Sequence, residues 1–271
     1  MNRRIVIKLG GASLQNKNTL HELILLLRGL KKENADIIVV HGGGPAINEA
    51  LAARKIQWKF INGLRQTTPE MMGVIDDVLA NKINGEIVRA LNKAKISAQG
   101  VSAAKDKILF CAASDPNLLQ VGKVESVSLG SVEKCLASGK IPIVAPIGYG
   151  VDEIKYNINA DWAAAKIAIE FKADDLIFLT DQDGILDEQK KLLAKVTTTD
   201  VAKLIETQVI SGGMMTKVNT MMAALNGGVK QVRVLNAAQA GLFISQSELG
   251  TVLTGPVTNK NKESVKWNHP T

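Results

Sequence analysis

Two lysines and an aspartate stand where their charges are costly to place. Lys8 lies inside the apolar run Arg4–Leu9, where an unpaired ammonium is expensive to bury, so it either snorkels to water or faces an anion. Lys217 falls in the opening turn of an expected helix, Met214–Asn226, where the positive end of the macrodipole disfavours a cation. A bound phosphate would reverse that sign, and a solvated surface lysine is the alternative. Asp161 opens another expected helix, where ordinary capping or dipole compensation would account for it. Asn157 and Asn159 alternate along the extended segment before it, so both amides can face one side and hydrogen-bond a carboxylate or order Asp161. Three glycines, Gly42 to Gly44, follow the run Ile37-Ile38-Val39-Val40, and Pro45 suits a first helical position. Their N–H groups would form an anion cradle at a helix N-terminus, and Gly10-Gly11 offers a second. Plain tight turns are the alternative for both. Two facing cradles suit a reaction in which two anions must meet. His41 reads as structural, because no partner residue can be named for it. Arg65 follows Asn62-Gly63, a hairpin-turn signal, so it rides on a two-stranded flap from which a guanidinium can grip a carboxylate bidentately.

The elements that must position these residues alternate. Strand-like runs at Arg4–Leu9, Asp36–Val40, Ile141–Ala145, Asp175–Thr180 and Val229–Leu235 are short, β-branched and nearly continuously apolar, as buried parallel strands are. Amphipathic stretches at Thr19–Lys32, Ala46–Lys55, Pro69–Lys95, Ser131–Ser138, Asp161–Phe171 and Met214–Asn226 separate them. This predicts an α/β fold, a three-layer αβα sandwich with a mainly parallel central sheet. In such sheets the ligand crevice lies beyond the C-terminal ends of the strands. Four junctions there stand out: Lys8 to Gly11, His41 to Pro45, Asn157 to Asp161 and Ser211 to Lys217.

The bulk numbers exclude several classes. At 271 residues and 46% hydrophobic, the chain can bury a large core. No apolar stretch reaches the roughly 20 residues needed to cross a bilayer, so a soluble cytoplasmic protein is expected. The formal charge of +7 is scattered and aromatics make up 4% of the chain, which leaves few stacking platforms for nucleic acid. The excess favours anionic small substrates. Cys111 and Cys135 are too far apart for a metal or redox motif and read as packing residues. The stretch Asn259–Thr271 is polar, basic and aperiodic, and reads as a loose tail.

The sequence has no GxxxxGK[ST] P-loop, no GxGxxG after a strand, no HExxH, no GxSxG and no protein-kinase HRD or DFG set. Phosphate handling here needs another architecture. KLGGASL, HGGGPAIN, NGLRQTT, YNINAD, LTDQDGILD and GGMMTKVN, in this order, resemble the amino acid kinase family from about Arg4 to about Thr254. The HGGG, NGLR, NxNAD and GGMxxK set resembles the branch acting on N-acetylated acidic amino acids, apart from aspartokinases, UMP kinases and carbamate kinases. The resemblance implies ATP-dependent phosphorylation of the γ-carboxylate of N-acetyl-L-glutamate, with Mg²⁺ held by the nucleotide phosphates and no protein ligand to the metal. It implies an N-terminal lobe over 1–172 for the acyl amino acid and dimer contacts, an ATP-binding lobe over 173–257 and a tail over 258–271. Lys8 and Lys217 would stabilise the transferring phosphoryl group and Asp161 would hold them in place. Gly43, Gly44, Arg65, Asn157 and Asn159 would bind the acyl amino acid. Gly10 and Gly11 would donate near the phosphates, while Asp181, Gly184, Ile185, Leu186, Val209, Ile210, Ser211, Gly213 and Met214 would line the nucleotide site. A homodimer is implied. Because the first strand begins after about three residues, without the extra N-terminal helix of arginine-inhibited members, arginine insensitivity and no partner of the signalling PII type are expected. The departures, Gly100 to Asp106 in place of a GLSGKDG-like segment and Gln66 after the NGLR arginine, bear on acyl-group and chain-length selectivity. The alternatives are an aminoadipate-type or carrier-protein-linked acceptor, and a non-catalytic nucleotide-binding protein on the same fold.

Overall fold

The computed structural model describes residues 2–102, 104–210 and 212–255, with the backbone alone at Asp152, Gly212 and Gly213. The apolar run beginning at Arg4 forms β1 (Arg4–Leu9), followed by α1 (Thr19–Lys32), β2 (Asp36–His41) and α2 (Gly44–Ala53). The flap is β3 (Phe60–Ile61) and β4 (Leu64–Arg65), turned by Asn62 and Gly63 at φ 49° and 78° as a tight hairpin requires. The long amphipathic stretch becomes α3 (Pro69–Asp76), a π segment (Asp77–Ile83) and α4 (Asn84–Lys93). There follow β5 (Ala98–Ser102), β6 (Leu109–Ala113), β7 (Gly122–Val127), α5 (Gly130–Ala137), β8 (Ile141–Ala145), β9 (Ile147–Tyr149) and β10 (Lys155–Asn157). The remainder is α6 (Ala160–Glu170), β11 (Asp175–Thr180), β12 (Lys195–Thr197), α7 (Thr198–Glu206), α8 (Gly212–Asn226), β13 (Gln231–Asn236) and β14 (Thr251–Thr254).

The main sheet has eight strands in the order β12-β14-β13-β11-β1-β2-β8-β5, and its pairings are parallel except β13 with β14. The mainly parallel three-layer reading is therefore correct, with helices on both faces. A second sheet, β10-β9-β6-β7, is an addition that the short alternating runs did not announce.

Strand period two sorts the core. Ile5, Ile7 and Leu9 join Ile37, Val39, Ile177 and Leu179 on the face covered by α1 to α4. Val6 joins Ile38, Val40, Leu176 and Phe178 on the face covered by α6 and α8. Lys8 shares this second face, in register between Val40 and Phe178. Its side chain therefore points toward the two helices that carry Asp161 and Lys217. The chain leaves β1 for β2 on one side and β11 joins on the other, so the crevice at the strand ends opens beside Gly10 and Gly42.

Candidate active site

Lys8 and Lys217 meet on one carboxylate. Lys8 Nζ lies 2.7 Å from Asp161 Oδ1, and Lys217 Nζ lies 3.5 Å from Oδ2. Asp161 Oδ1 has no well-angled hydrogen bond, so the Lys8 contact is a close ion pair approached obliquely. Burial pulls the Asp161 carboxyl up, yet the charges of Lys8 and Lys217 outweigh it and hold the pKa below the ordinary carboxylate value. Burial lowers the pKa of Lys217, an effect that Asp161 opposes and Lys8 reinforces. Its ammonium also sits 5.9 Å from the Phe178 ring centroid.

Capping is not what Asp161 does. Asn159 is the N-cap of α6, its Oδ1 accepting from the Asp161 and Trp162 N–H groups at 2.9 and 3.2 Å. The Asp161 side chain is thereby left for the lysines. α8 begins at Gly212, two residues earlier than expected, which moves Lys217 out of the opening turn and into the second.

The two glycine loops touch. A Cβ on Gly11 would lie 2.6 Å from the Gly43 nitrogen and 2.8 Å from that of Gly44. Backbone bonds tie the loops to the sheet: Gly10 N–H donates to Leu179 O at 3.0 Å and Gly42 N–H to Leu9 O at 2.8 Å. Gly43 packs beneath Leu79 and Ile83 of the π segment. His41 is fully buried, and Asn84 supplies the partner that sequence reasoning lacked. Its Nδ1 lies 3.0 Å from Gly42 O and its Nε2 3.3 Å from Asn84 Nδ2, which also donates to Ile143 O at 2.7 Å. The ring thus donates to Gly42 and accepts from Asn84, which requires it to be neutral, and burial lowers its pKa to about 4.

Lys8, Gly11, Gly43, Gly44, Arg65, Asn157, Asn159 and Asp161 line one pocket of about 280 Å³. Arg65 is 7% exposed, stacks over Phe60 at 4.7 Å and donates to Asn48 Oδ1 at 2.6 Å. Its Nη1 is buried with no partner among the described residues, a charged donor free for an acceptor. Asn157 donates to Thr67 Oγ1 at 3.0 Å. Asn48 and Thr67 lie inside the quoted motifs HGGGPAIN and NGLRQTT, which could have found them, whereas Asn84 lies in no motif.

The residues named for a nucleotide site lie in the C-terminal half. Asp181 is exposed at the end of β11, close enough for its charge to act on Lys217, and Leu186, Val209 and Met214 are partly buried. Ile185 and Ile210 are buried in the core, and the Ile185 N–H donates to Thr251 Oγ1 at 2.8 Å, so these two can contribute backbone only. Gly184 has φ 157°, and Gly213 lies in the first turn of α8. Ser211 and the tail over 258–271 lie outside the described residues. Both cysteines are buried and unpaired with each other, and burial first, then the charge of Glu125, pushes the Cys111 thiol up to about 12, as packing residues behave. Among the described residues no helix is long and apolar enough to cross a membrane.

Residues 3–236 match the profile of the Amino acid kinase family. An acetylglutamate kinase of Clostridioides difficile (strain 630) is 37% identical over 262 residues, covering 93% of this chain and 91% of its own length. A solved structure from Streptococcus mutans UA159 superposes with a TM-score of 0.81 at 29% identity, covering 94% of this chain and 99% of that one. N-acetylglutamate synthase from Neisseria gonorrhoeae, complexed with coenzyme A and N-acetyl-glutamate, shares the fold at a TM-score of 0.82 and 20% identity, covering 94% of this chain and 60% of that one. The profile match takes in every element that builds the pocket, from β1 to β13, and the chain belongs to the amino acid kinase family.

Proposed function

We propose that the chain transfers the γ-phosphoryl group of ATP to the γ-carboxylate of N-acetyl-L-glutamate, giving N-acetylglutamyl 5-phosphate and ADP, a cytoplasmic step of arginine biosynthesis. The name of the Clostridioides difficile relative supports this reading over an aminoadipate-type acceptor. The observation that carries it is the pair of lysines held on Asp161, of which Lys8 and Asp161 line a pocket shared with Arg65, whose Nη1 has no partner among the described residues.

A carboxylate is ionised at neutral pH, so its oxygen can attack the γ-phosphorus with no proton to remove and no general base. The β–γ bridging oxygen leaves with the bond electrons as part of ADP. The barrier is charge repulsion, and the residues present address it. Arg65 grips the α-carboxylate, with Asn157 and Asn159 beside it. The Gly43 and Gly44 N–H groups orient the acceptor from one loop, and Gly11 donates toward the phosphates from the other, while the Gly10 N–H, expected to share that task, is taken by Leu179 O and anchors the loop to the sheet. Lys8 and Lys217 neutralise the transferring phosphoryl group, and Asp161 holds their ammonium groups in place. Asp181, Gly184, Leu186, Val209, Gly213 and Met214 are assigned to the nucleotide side, backed by Ile185 and Ile210, with Ser211 assigned there by its motif alone.

Asp161 is already engaged by two lysines and has little capacity left for a metal. Mg²⁺ would be carried by the nucleotide phosphates, with no side chain of this chain named to hold it, and would supply further charge neutralisation. The reading includes a homodimer formed by the N-terminal half, where β5 ends the main sheet as an open edge. A light-scattering mass equal to one chain would remove the dimer.

The test is ADP release with hydroxylamine trapping. Acyl hydroxamate should accumulate in step with ADP when N-acetyl-L-glutamate is present. ADP release independent of the acceptor, or none at all, would reject the assignment.

A further inference from the structure

Arg65 and the lysine–glycine end of the pocket account for the two carboxylates of the proposed acceptor. The wall left for its N-acyl group is apolar, formed by Leu64 and Val121 beside Asn159. These three residues also line a second cavity of about 300 Å³, continued by Val124 and Trp162. The two spaces thus share a wall. That wall is light: Leu64 belongs to a flap whose ladder consists of the pairs Phe60↔Arg65 and Ile61↔Leu64, and a two-stranded hairpin alone is marginally stable. Asn159 Oδ1 is occupied in capping α6, and the Ser114 N–H is spent on Val121 O, so these polar groups demand little from a ligand. Lys123 and Lys166 stand at the border, where their aliphatic stems extend the apolar surface.

We propose that this cavity receives the N-acyl chain of the acceptor, so that the chain phosphorylates N-acyl-L-glutamates with aliphatic acyl groups longer than acetyl. The inference rests on the proposed reaction and adds the acyl specificity of the same site. A closed apolar pocket discriminates one methylene by about 10- to 200-fold, so rejection of a longer acyl group would be severe if the space behind Leu64 were not used.

The experiment compares kcat/KM for N-acetyl-, N-butyryl- and N-hexanoyl-L-glutamate, read by ADP release and hydroxamate trapping. The butyryl compound should be used within about tenfold of the acetyl compound, less than the loss a closed pocket imposes for its two added methylenes. Ser114→Trp, which fills the cavity from its exposed side, should depress butyryl and hexanoyl turnover by about tenfold or more while leaving acetyl turnover unchanged. Trp162→Ala, which enlarges the cavity, should shift the ratio toward hexanoyl, and it tests the idea independently should Ser114→Trp fail to fold. Turnover of the acetyl compound with near-complete rejection of the butyryl one overturns the inference but leaves the reaction standing. Equal changes for all three compounds in both variants also overturn it. Turnover of none of the three overturns the reaction and, with it, the acyl specificity.

Discussion

Asp161 has two ammonium groups on one carboxylate, and losing either should cost turnover rather than folding. With Lys8→Ala or Lys217→Ala, kcat should fall by about 10²–10³, the usual loss for one preorganised donor to developing charge. Circular dichroism and steady-state kinetics on both variants check this, and near-normal turnover in either would remove that lysine from its role. His41 makes a different kind of prediction. It is neutral when folded, with its pKa lowered from 6.5 to about 4, whereas the unfolded chain takes up the proton near the ordinary value. The unfolded state therefore binds more protons between those values, and stability falls as pH drops through that window, by up to about 3 kcal/mol. Below it the loss is complete, and above pH 6.5 it is absent. Urea unfolding from pH 7 to pH 4 should show this slope in the native chain and a flatter one in His41→Gln, where an amide can still donate to Gly42 and accept from Asn84. An unchanged slope would mean that other groups set the acid sensitivity.

The glycine loops are elements whose chemistry lies in contact between backbones. An Ala at Gly11 would put its Cβ 2.6 Å from the Gly43 nitrogen and 2.9 Å from its Cα, atoms that cannot rotate away. At Gly43 the obstructing atoms are the tips of Leu79 and Ile83, at 2.5 Å, which can turn aside. Gly11→Ala should therefore abolish activity by parting the two cradles, and Gly43→Ala should retain more of it. Kinetics on folded samples decide the order, and the reverse order would contradict the facing-loop geometry. What was legible in the sequence follows the same physics. β1, β8 and β11 were read at their true bounds because a buried parallel strand is a continuous apolar run, and Lys8 was conspicuous because it interrupts one. The second sheet was missed because β6 and β7 are short, half-exposed and mixed in character. The π segment leaves no mark, since one extra residue per turn over Asp77–Ile83 barely disturbs an amphipathic stripe running from Pro69 to Lys95. Asn84 was invisible for another reason: its partners, His41 and Ile143, lie 43 and 59 residues away and become neighbours only once the sheet forms.

At the scale of the molecule, the boundary expected near residue 172 does not divide the core. The two apolar clusters lie on opposite faces of the main sheet, and each contains residues from both halves: Ile5, Ile37, Ile177 and Leu235 in one, Val6, Ile38, Phe178 and Val232 in the other. β1 pairs with β11 across the boundary in five successive register positions, from Ile5↔Asp175 to Leu9↔Leu179. Separating the halves would strip an edge from each and expose side chains such as Phe178 and Leu9, at roughly 1.5–3 kcal/mol for each large apolar group. Both clusters draw on both halves, so the lobes should unfold together. Equilibrium denaturation followed by far-ultraviolet circular dichroism and by tryptophan fluorescence should give one coincident transition. The indoles report well on the N-terminal half, since Trp58 and Trp162 both lie there, while circular dichroism averages over both. A fluorescence transition displaced from the backbone signal, or a folded fragment spanning 173–257, would show that the ATP side has an independent core. Coincidence would mean that the strand ends on either side of β1, set in one continuous sheet, are held by a single cooperative unit.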